Sequence, residues 1–505
     1  MKITNETVAR AYEILQKYKA GKSSLESRLI DGEQWWKMRH EKSDDRPTGW
    51  LFNSIINKHA DAMDNLPQCA VLPREEKDMK SAALLDRVMP AILERCNFED
   101  VYSDCWYDKL KGGTACYGVF WNPRLDSGLG NVDVRRVDLL NLFWEPGICD
   151  LEKSENVFLV ELMANDALLA KYPQLEESLS GPAMEVSRYI YDDTVDTSGK
   201  TAVIDWYYKK REGLRTVLHY VKFANGVLLY ASENDEKYEK RGYYDHGRYP
   251  FILDVFYPVK GSPCGFGIID AMKSTQSDID TLSKSITDNA KMASRRRFFI
   301  RSDGAINERE FADWNAPFVH YSGSGDPASA VMPIEIPSLS GNYIAILQNK
   351  IDELKETSGN RDFSQGTVSG GVTAASAIAA LQEAGSKTTR DMIGASYRCY
   401  EKICSIIIEL VRQFYTIPRC FRIGGGSGDF SFLSSDSVEA PVYDLKIRAA
   451  KKSPFSRTAS NELAMNLYTM GMFTPERRNE ALMCISLMDF DGKDEMLSRL
   501  REGAI

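Results

Sequence analysis

The sequence has little that would mark a membrane protein, a disulfide or zinc scaffold, or a firm nucleic-acid binder. Its most apolar run, Cys404 to Val411, is broken by Ser405 and Glu409. The opening residues MKITNETVARAYEILQKYKAGK hold no uninterrupted apolar core, so neither a membrane span nor a signal peptide is expected. Ten cysteines, at 69, 96, 105, 116, 149, 264, 399, 404, 420 and 484, include no CxxC pair and no zinc-like spacing. They read as reduced, mostly buried thiols of a protein made in the cytoplasm. The five histidines, at 40, 59, 219, 246 and 320, lie far apart without an HExxH pattern, so no metal centre or nucleophilic triad is indicated. Lys plus Arg total 63 against 72 for Asp plus Glu, a net charge of −9. A protein that holds DNA by neutralising many phosphates needs the opposite balance, although contact without a firm grip is compatible with it.

What is present is an ordinary globular composition, 43% hydrophobic and 27% charged, over 505 residues. At about 150 residues per domain this allows about three domains or one elaborate multi-segment subunit. Residues 1–111 read as a helical block, with Val8, Tyr12, Leu15 and Tyr18 at three- and four-residue steps and Leu84, Val88, Ile92 and Leu93 continuing the pattern. From Lys111-Gly112-Gly113-Thr114 onward, β-rich runs alternate with turn residues through 112–262, with one short helix near Asp166 to Tyr172. Asn225-Gly226 between two apolar runs is a tight-hairpin signal.

A helical period then returns over Gly267 to Ser294. Met272, Ile279, Ile286 and Ala293 are seven apart, with Thr275 and Leu282 on the same seam, so one narrow stripe faces a neighbour. Asp280 and Lys284 read as an outer, solvated pair. Strand- and turn-rich residues 295–340 follow, including a strand-like run from Arg297 to Arg301, before a second helix over 342–357 striped by Ile344, Leu347, Ile351 and Leu354. Ser358 to Thr373 is rich in glycine and reads as a flexible loop. A long helix is expected from about Ala374 to Tyr415, then a strand-like run from Tyr443 to Arg448 and a helical end from 457. The class is α+β, without internal repeats.

Few motifs carry chemistry. Ala20-Gly21-Lys22-Ser23 resembles the end of a phosphate-binding loop, but position 16 is Gln where that motif needs Gly, and the preceding residues are helical rather than a strand. Asp278 and Asp280 point in different directions on a helix, and Asp489-Phe490-Asp491-Gly492 lacks the later ligands of a calcium loop; both pairs read as solvated charges. Arg295-Arg296-Arg297 ends the first long helix, where cations complement the helix dipole, and three adjacent arginines also suit a phosphate or partner contact. Arg361, Asp362, Phe363 and Gln365 lie in the glycine-rich loop, whose composition fits a plain surface loop equally well.

The segments KGGTACYGVFWNP (111–123), VDLLNLFWEPGICDLEKSENVF (137–158), PCGFGIIDAMKSTQSDIDTLSKSITDNA (263–290) and SGGVTAASAIAALQEAGSKTTRD (369–391), in that order, resemble the portal proteins of tailed bacteriophages. The likeness extends from residue 1 to about 420 and is least in the C-terminal block. It implies a helical wing (1–111), a β-rich wing (112–262), a stem helix (263–294), a small α/β clip (295–340), a second stem helix (341–358), a tunnel loop (359–373), a long bent helix returning to the wing (374–456) and a helical crown (457–505).

The resemblance further implies a non-enzymatic ring, usually of twelve subunits, at one vertex of the virion capsid and assembled in the host cytoplasm. Double-stranded DNA is packaged through it by the terminase large subunit, retained, and later ejected. Its other implied partners are a head–tail adaptor and the major capsid and scaffolding proteins; no cofactor, metal or membrane is implied. On this likeness Met272, Ile279, Leu282 and Ile286 carry the subunit interface of the stem. Arg361, Asp362, Phe363, Gln365 and Gly366 form the tunnel loop at the DNA, and Arg295, Arg296, Arg297, Arg301 and Trp314 serve clip docking. Two other readings remain: a different oligomeric virion protein, such as a minor capsid or adaptor protein, and a Mg-dependent nucleic-acid enzyme using Asp278 and Asp280 or Asp489 and Asp491.

Overall fold

Apolar residues spaced three and four apart put one buried stripe along the first helix, and apolar residues spaced two apart put a matching face on the β-rich region. In the computed structural model, the described residues are 2–39, 47–176, 199–213, 215–294, 297–302, 305–313, 315–327, 330–334, 341–359, 387–422, 430–438 and 443–451, with a few between 465 and 496. Their principal helices are Asn5–Trp36 (α1), Trp50–Met63 (α2), Met79–Arg95 (α3), Phe98–Gly112 (α4), Asn165–Lys171 (α5), Ile268–Ser294 (α6), Glu308–Ala312 (α7), Gly341–Ser358 (α8) and Lys387–Phe414 (α9). The strands are Asn65–Leu72 (β1), Thr114–Asn122 (β2), Asn131–Arg136 (β3), Leu142–Trp144 (β4), Asn156–Ala164 (β5), Lys200–Glu212 (β6), Arg215–Ala224 (β7), Val227–Ala231 (β8), Phe251–Val255 (β9), Tyr257–Pro258 (β10), Gly265–Phe266 (β11), Arg297–Ile300 (β12), Val331–Ile334 (β13), Arg419–Arg422 (β14), Phe430–Leu433 (β15) and Asp444–Lys451 (β16).

The chain divides into two units, residues 1–30, 55–267 and 386–505 in one and residues 31–54 and 268–385 in the other. In the first, β4-β5-β6-β7-β8 form an antiparallel meander. Val8, Ala11, Leu15 and Tyr18 of α1 share a core with Phe158, Val160, Ala202, Ile204, Trp206, Val221 and Phe223, every second residue of three successive strands. Leu168 of α5 packs with Leu175 and with Val203 and Ala224, the two strand residues being of the opposite parity. Asn225 and Gly226 both take positive φ, 45° and 78°, so the β7–β8 connection is the tight turn that the dipeptide predicts.

A second sheet, β3-β2-β9, packs against α4 and α9 in the same unit. The end of α4 passes the chain before α6 backbone to backbone. Gly113 has φ +84°, and a Cβ there would stand 2.2 Å from the carbonyl carbon of Phe266; one on Gly267 would stand 2.4 Å from the oxygen of Lys111. Only glycine permits that approach.

Two expectations are overturned and one strand pair is added. Residues 1–111 are not wholly helical, because Asn65–Leu72 is a strand paired antiparallel with β16; Pro67 weakens a helix there, although α3 accommodates Pro90, and a two-stranded ribbon tolerates its missing N–H. The β14–β15 hairpin was not anticipated; its inner residues Phe421 and Leu433 are fully buried. Asp280 is buried rather than solvated. Most of the expected helical end, and residues 374–386 at the start of the expected long helix, lie outside the described residues.

The second unit contains α6 and α8, packed together, with the end of α1, the start of α2 and the antiparallel pair β12–β13.

Candidate functional site

The two long helices and the insert between them hold most of the candidate interface and docking positions expected from the sequence. Along α6 the apolar stripe fades: Met272 and Ile279 are buried within the chain, Leu282 and Ile286 are half-buried, and Ala293 is exposed. Along α8 it fades in the other direction, from exposed Ile344 through half-buried Leu347 and Ile351 to buried Leu354. Apolar side chains are therefore left uncovered at the ends of both helices that border the insert.

The insert repeats the pattern. Phe298 of β12 packs edge-on against Phe311 of α7 at 5.1 Å, which covers one side of the strand pair. On the other side Phe299 stands opposite Met332, and the two are 63% and 67% exposed. Phe318 is 75% exposed. Arg297 and Arg301 are exposed at either end of β12. Arg295, Arg296 and Trp314 lie outside the described residues, as do Arg361, Asp362, Phe363, Gln365 and Gly366.

Asp280 has a specific use. Its Oδ1 accepts hydrogen bonds from the Thr48 backbone N–H (2.7 Å), the Thr48 hydroxyl (2.6 Å) and Gln276 Nε2 (2.9 Å). Gln276 Oε1 accepts from the Leu51 N–H (2.9 Å), and its amide also donates to the Thr48 carbonyl (2.9 Å). Two side chains of α6 thus cap the start of α2, where backbone N–H groups lack partners and the helix dipole favours a carboxylate. Asp278 instead pairs with Lys350 of α8 at 3.3 Å. The two carboxylates serve different partners and do not converge on one ion, which removes the geometric basis for a metal-dependent nuclease at this pair. Asp489 and Asp491 lie outside the described residues.

A family model described as phage P22-like portal protein matches residues 28–505. The chain belongs to the phage P22-like portal protein family. The match reaches the last residue, so the C-terminal block, which looked least portal-like in sequence, lies within the family's extent. No curated protein matches the chain. Family membership makes this portal subunit a phage virion capsid component.

Elsewhere among the described residues, Lys22, His219, Ser232 and three cysteines have catalytic or phosphate-binding potential by residue type, and all are enclosed in the fold. Lys22, of the loop-like AGKS, sits mid-helix in α1 and is buried. Its ammonium donates to the carbonyls of Leu139 and Leu142, the latter at 2.6 Å, and lies 4.4 Å from the Phe143 ring centroid. Burial pulls its pKa down to about 8. His219 Nδ1 lies 3.1 Å from the Ser232 hydroxyl and Nε2 lies 3.7 Å from Glu233 Oε1, an order that imitates a nucleophilic triad. Ser232 and His219 are both fully enclosed, so a substrate has no route to the hydroxyl. Burial pushes the thiols of Cys105, Cys116 and Cys399 well above the ordinary range, as expected of inert thiols. Among the described residues no cluster of three or more His, Cys, Asp or Glu side chains is arranged to hold a metal ion. No helix among them is long and apolar enough to cross a membrane.

Proposed function

We propose that this chain is the subunit of a homo-oligomeric ring, of about twelve copies as in the family it resembles, forming the DNA channel at one capsid vertex. On this reading the terminase large subunit packages DNA through the ring, which holds the genome and later releases it. The carrying observation is the family match over residues 28–505. The second unit supports it, because two packed helices flank an insert and the apolar residues they leave open need a covering surface. In a closing ring with head-to-tail contacts, one face of each copy covers a different face of the next.

Within that reading α6 and α8 are the stem. Leu282 and Ile286, half-open in the single chain, contribute to the contact between copies, while Met272 and Ile279 are already enclosed by the chain's own fold. The insert with Arg297, Arg301, Phe299 and Met332 is the clip, docking terminase and afterwards the head–tail adaptor; Arg295, Arg296 and Trp314 belong to it by position in the sequence. Residues 359–373, with Arg361, Asp362, Phe363, Gln365 and Gly366, form the tunnel loop facing DNA. Major capsid and scaffolding proteins surround the wing. The net charge of −9 per copy fits a conduit that DNA slides through.

Negative-stain micrographs of the purified chain test the proposal. End views with one rotational symmetry and a central hole wide enough for duplex DNA are expected. Monomers under every salt condition tested would overturn it.

A further inference from the structure

Lys109 of α4 is a lysine with no solvent exposure at all. Its ammonium donates to Asp254 Oδ1 of β9 at 2.8 Å, to the Ser396 hydroxyl of α9 at 2.6 Å and to the Met392 carbonyl of α9 at 3.2 Å. The Ser396 hydroxyl in turn donates to Asp254 Oδ2. The Trp106 ring closes the site, its centroid 4.5 Å from the ammonium. All three Nζ–H groups are used, and both carboxylate oxygens accept. Three elements from distant parts of the sequence therefore meet at one ion pair.

Stability alone is a weak reason for such a group. Desolvating two charges costs about as much as their attraction returns, and well-packed apolar replacements are often neutral or stabilising. Direction is the better reason. Beyond Ser396, α9 is seated by an apolar face that includes Cys399, Tyr400, Ile403, Cys404, Ile407, Leu410 and Val411, all buried. Apolar contact is non-directional, and packed helices have discrete alternative registers, up to a turn of about 5.4 Å apart. Hydrogen bonds of 2.6 to 3.2 Å to one carbonyl and one hydroxyl of α9 admit a single rotation and axial position.

We propose that Lys109, Asp254 and Ser396 are positioning residues that lock the register of α9 on α4 and β9. The consequence in the virion rests on the portal reading: a fixed α9 keeps each copy of the ring in one conformation while DNA passes.

The test uses the full chain carrying Lys109→Met, Asp254→Leu and Ser396→Ala together, followed by hydrogen exchange of backbone amides. The expected result is a melting temperature within a few degrees of the parent, with exchange faster by about tenfold or more over 390–398 and also faster over 403–411, because a helix free to change register loosens along its packed length; faster exchange confined to 390–398 would mean a local contact only and overturn the lock. Ser396→Ala alone keeps the ion pair, provides for a triple variant that fails to fold, and is expected to speed the same amides by several-fold; Ser396→Thr keeps the hydroxyl and restores protection. Unchanged exchange over 390–398 in the triple variant, or in Ser396→Ala where the triple variant does not fold, overturns the lock. The exchange result stands whether or not rings form, so the lock and the channel reading fail separately.

Discussion

Gly113 and Gly226 hold nearly the same left-handed backbone, φ +84° and +78°, yet only Gly113 has close neighbours; around Gly226 nothing lies within 4 Å of an added Cβ. The pair separates two costs usually seen together. Gly226→Ala is expected to cost about 1–2 kcal/mol in urea unfolding, the backbone penalty alone. Gly113→Ala adds a clash with the Phe266 backbone and is expected to exceed about 4 kcal/mol or prevent folding. Equal losses would mean that the α4 crossing relaxes freely. His246 gives a prediction in pH. Its Nδ1 accepts from the Arg248 N–H, its ring stacks on Tyr244, and Nε2 is enclosed without a hydrogen-bond partner. Burial, then the charges of Arg248 and Arg412, pull its pKa down to about 3. A histidine depressed on folding contributes its full stability above about pH 6.5 and loses it as pH falls toward 3, because the unfolded chain takes up the proton first. The loss is about 2 kcal/mol by pH 5. His246→Gln is expected to shrink the stability difference between pH 7 and pH 5 by about that amount, and an unchanged difference would exclude His246 as its source.

The α2 cap belongs to the scale of elements, since it exists only where α6 meets the chain before α2. Asp280→Ala leaves the Thr48 N–H and hydroxyl without that acceptor and is expected to cost about 1.5–3 kcal/mol. Asp278→Ala, breaking a half-exposed pair with Lys350, is expected to stay within about 0.5 kcal/mol. Similar losses in urea titrations would deny Asp280 its capping role. The contrast also shows where sequence reading stops. Strands β2 to β8 and helices α6 and α8 were legible because period and turn chemistry are local: Asn225-Gly226 specifies its own turn, and the seven-residue spacing specifies its own stripe. Asp280 was not, because its partner Thr48 lies 232 residues away and nothing nearby distinguishes it from Asp278. Strand β1 escaped for the same reason. The stretch NLPQCAVL alternates poorly, and its pairing is supplied by Asp444–Lys451. Lys109, Asp254 and Ser396 also carry no joint signal in sequence.

At the scale of the whole molecule, the family was legible in four separated segments, whereas the division of the α6 stripe was not, because periodicity marks an apolar face without saying which copy of the chain covers it. That division predicts how substitutions act. Ile279 has no exposure, so a charge there is expected to break the subunit itself, while half-exposed Ile286 is expected to tolerate Glu in the single chain and, on the proposed ring, to bury it unpaired between copies. Ile286→Glu is therefore expected to give folded monomers with normal circular dichroism and no rings; rings of normal size would move the contact elsewhere. Charge sets the last expectation. Each copy carries −9, so on the proposed channel reading an assembled ring is expected to repel duplex over most of its surface and to meet it at few basic side chains. Affinity for DNA falls with salt at a slope of about −0.9 per phosphate neutralised. A conduit with sparse contacts is expected to show weak anisotropy-detected binding and a slope no steeper than about −3. A slope near −6 or steeper would mean that many phosphates are gripped at once, and DNA gripped at many points does not slide.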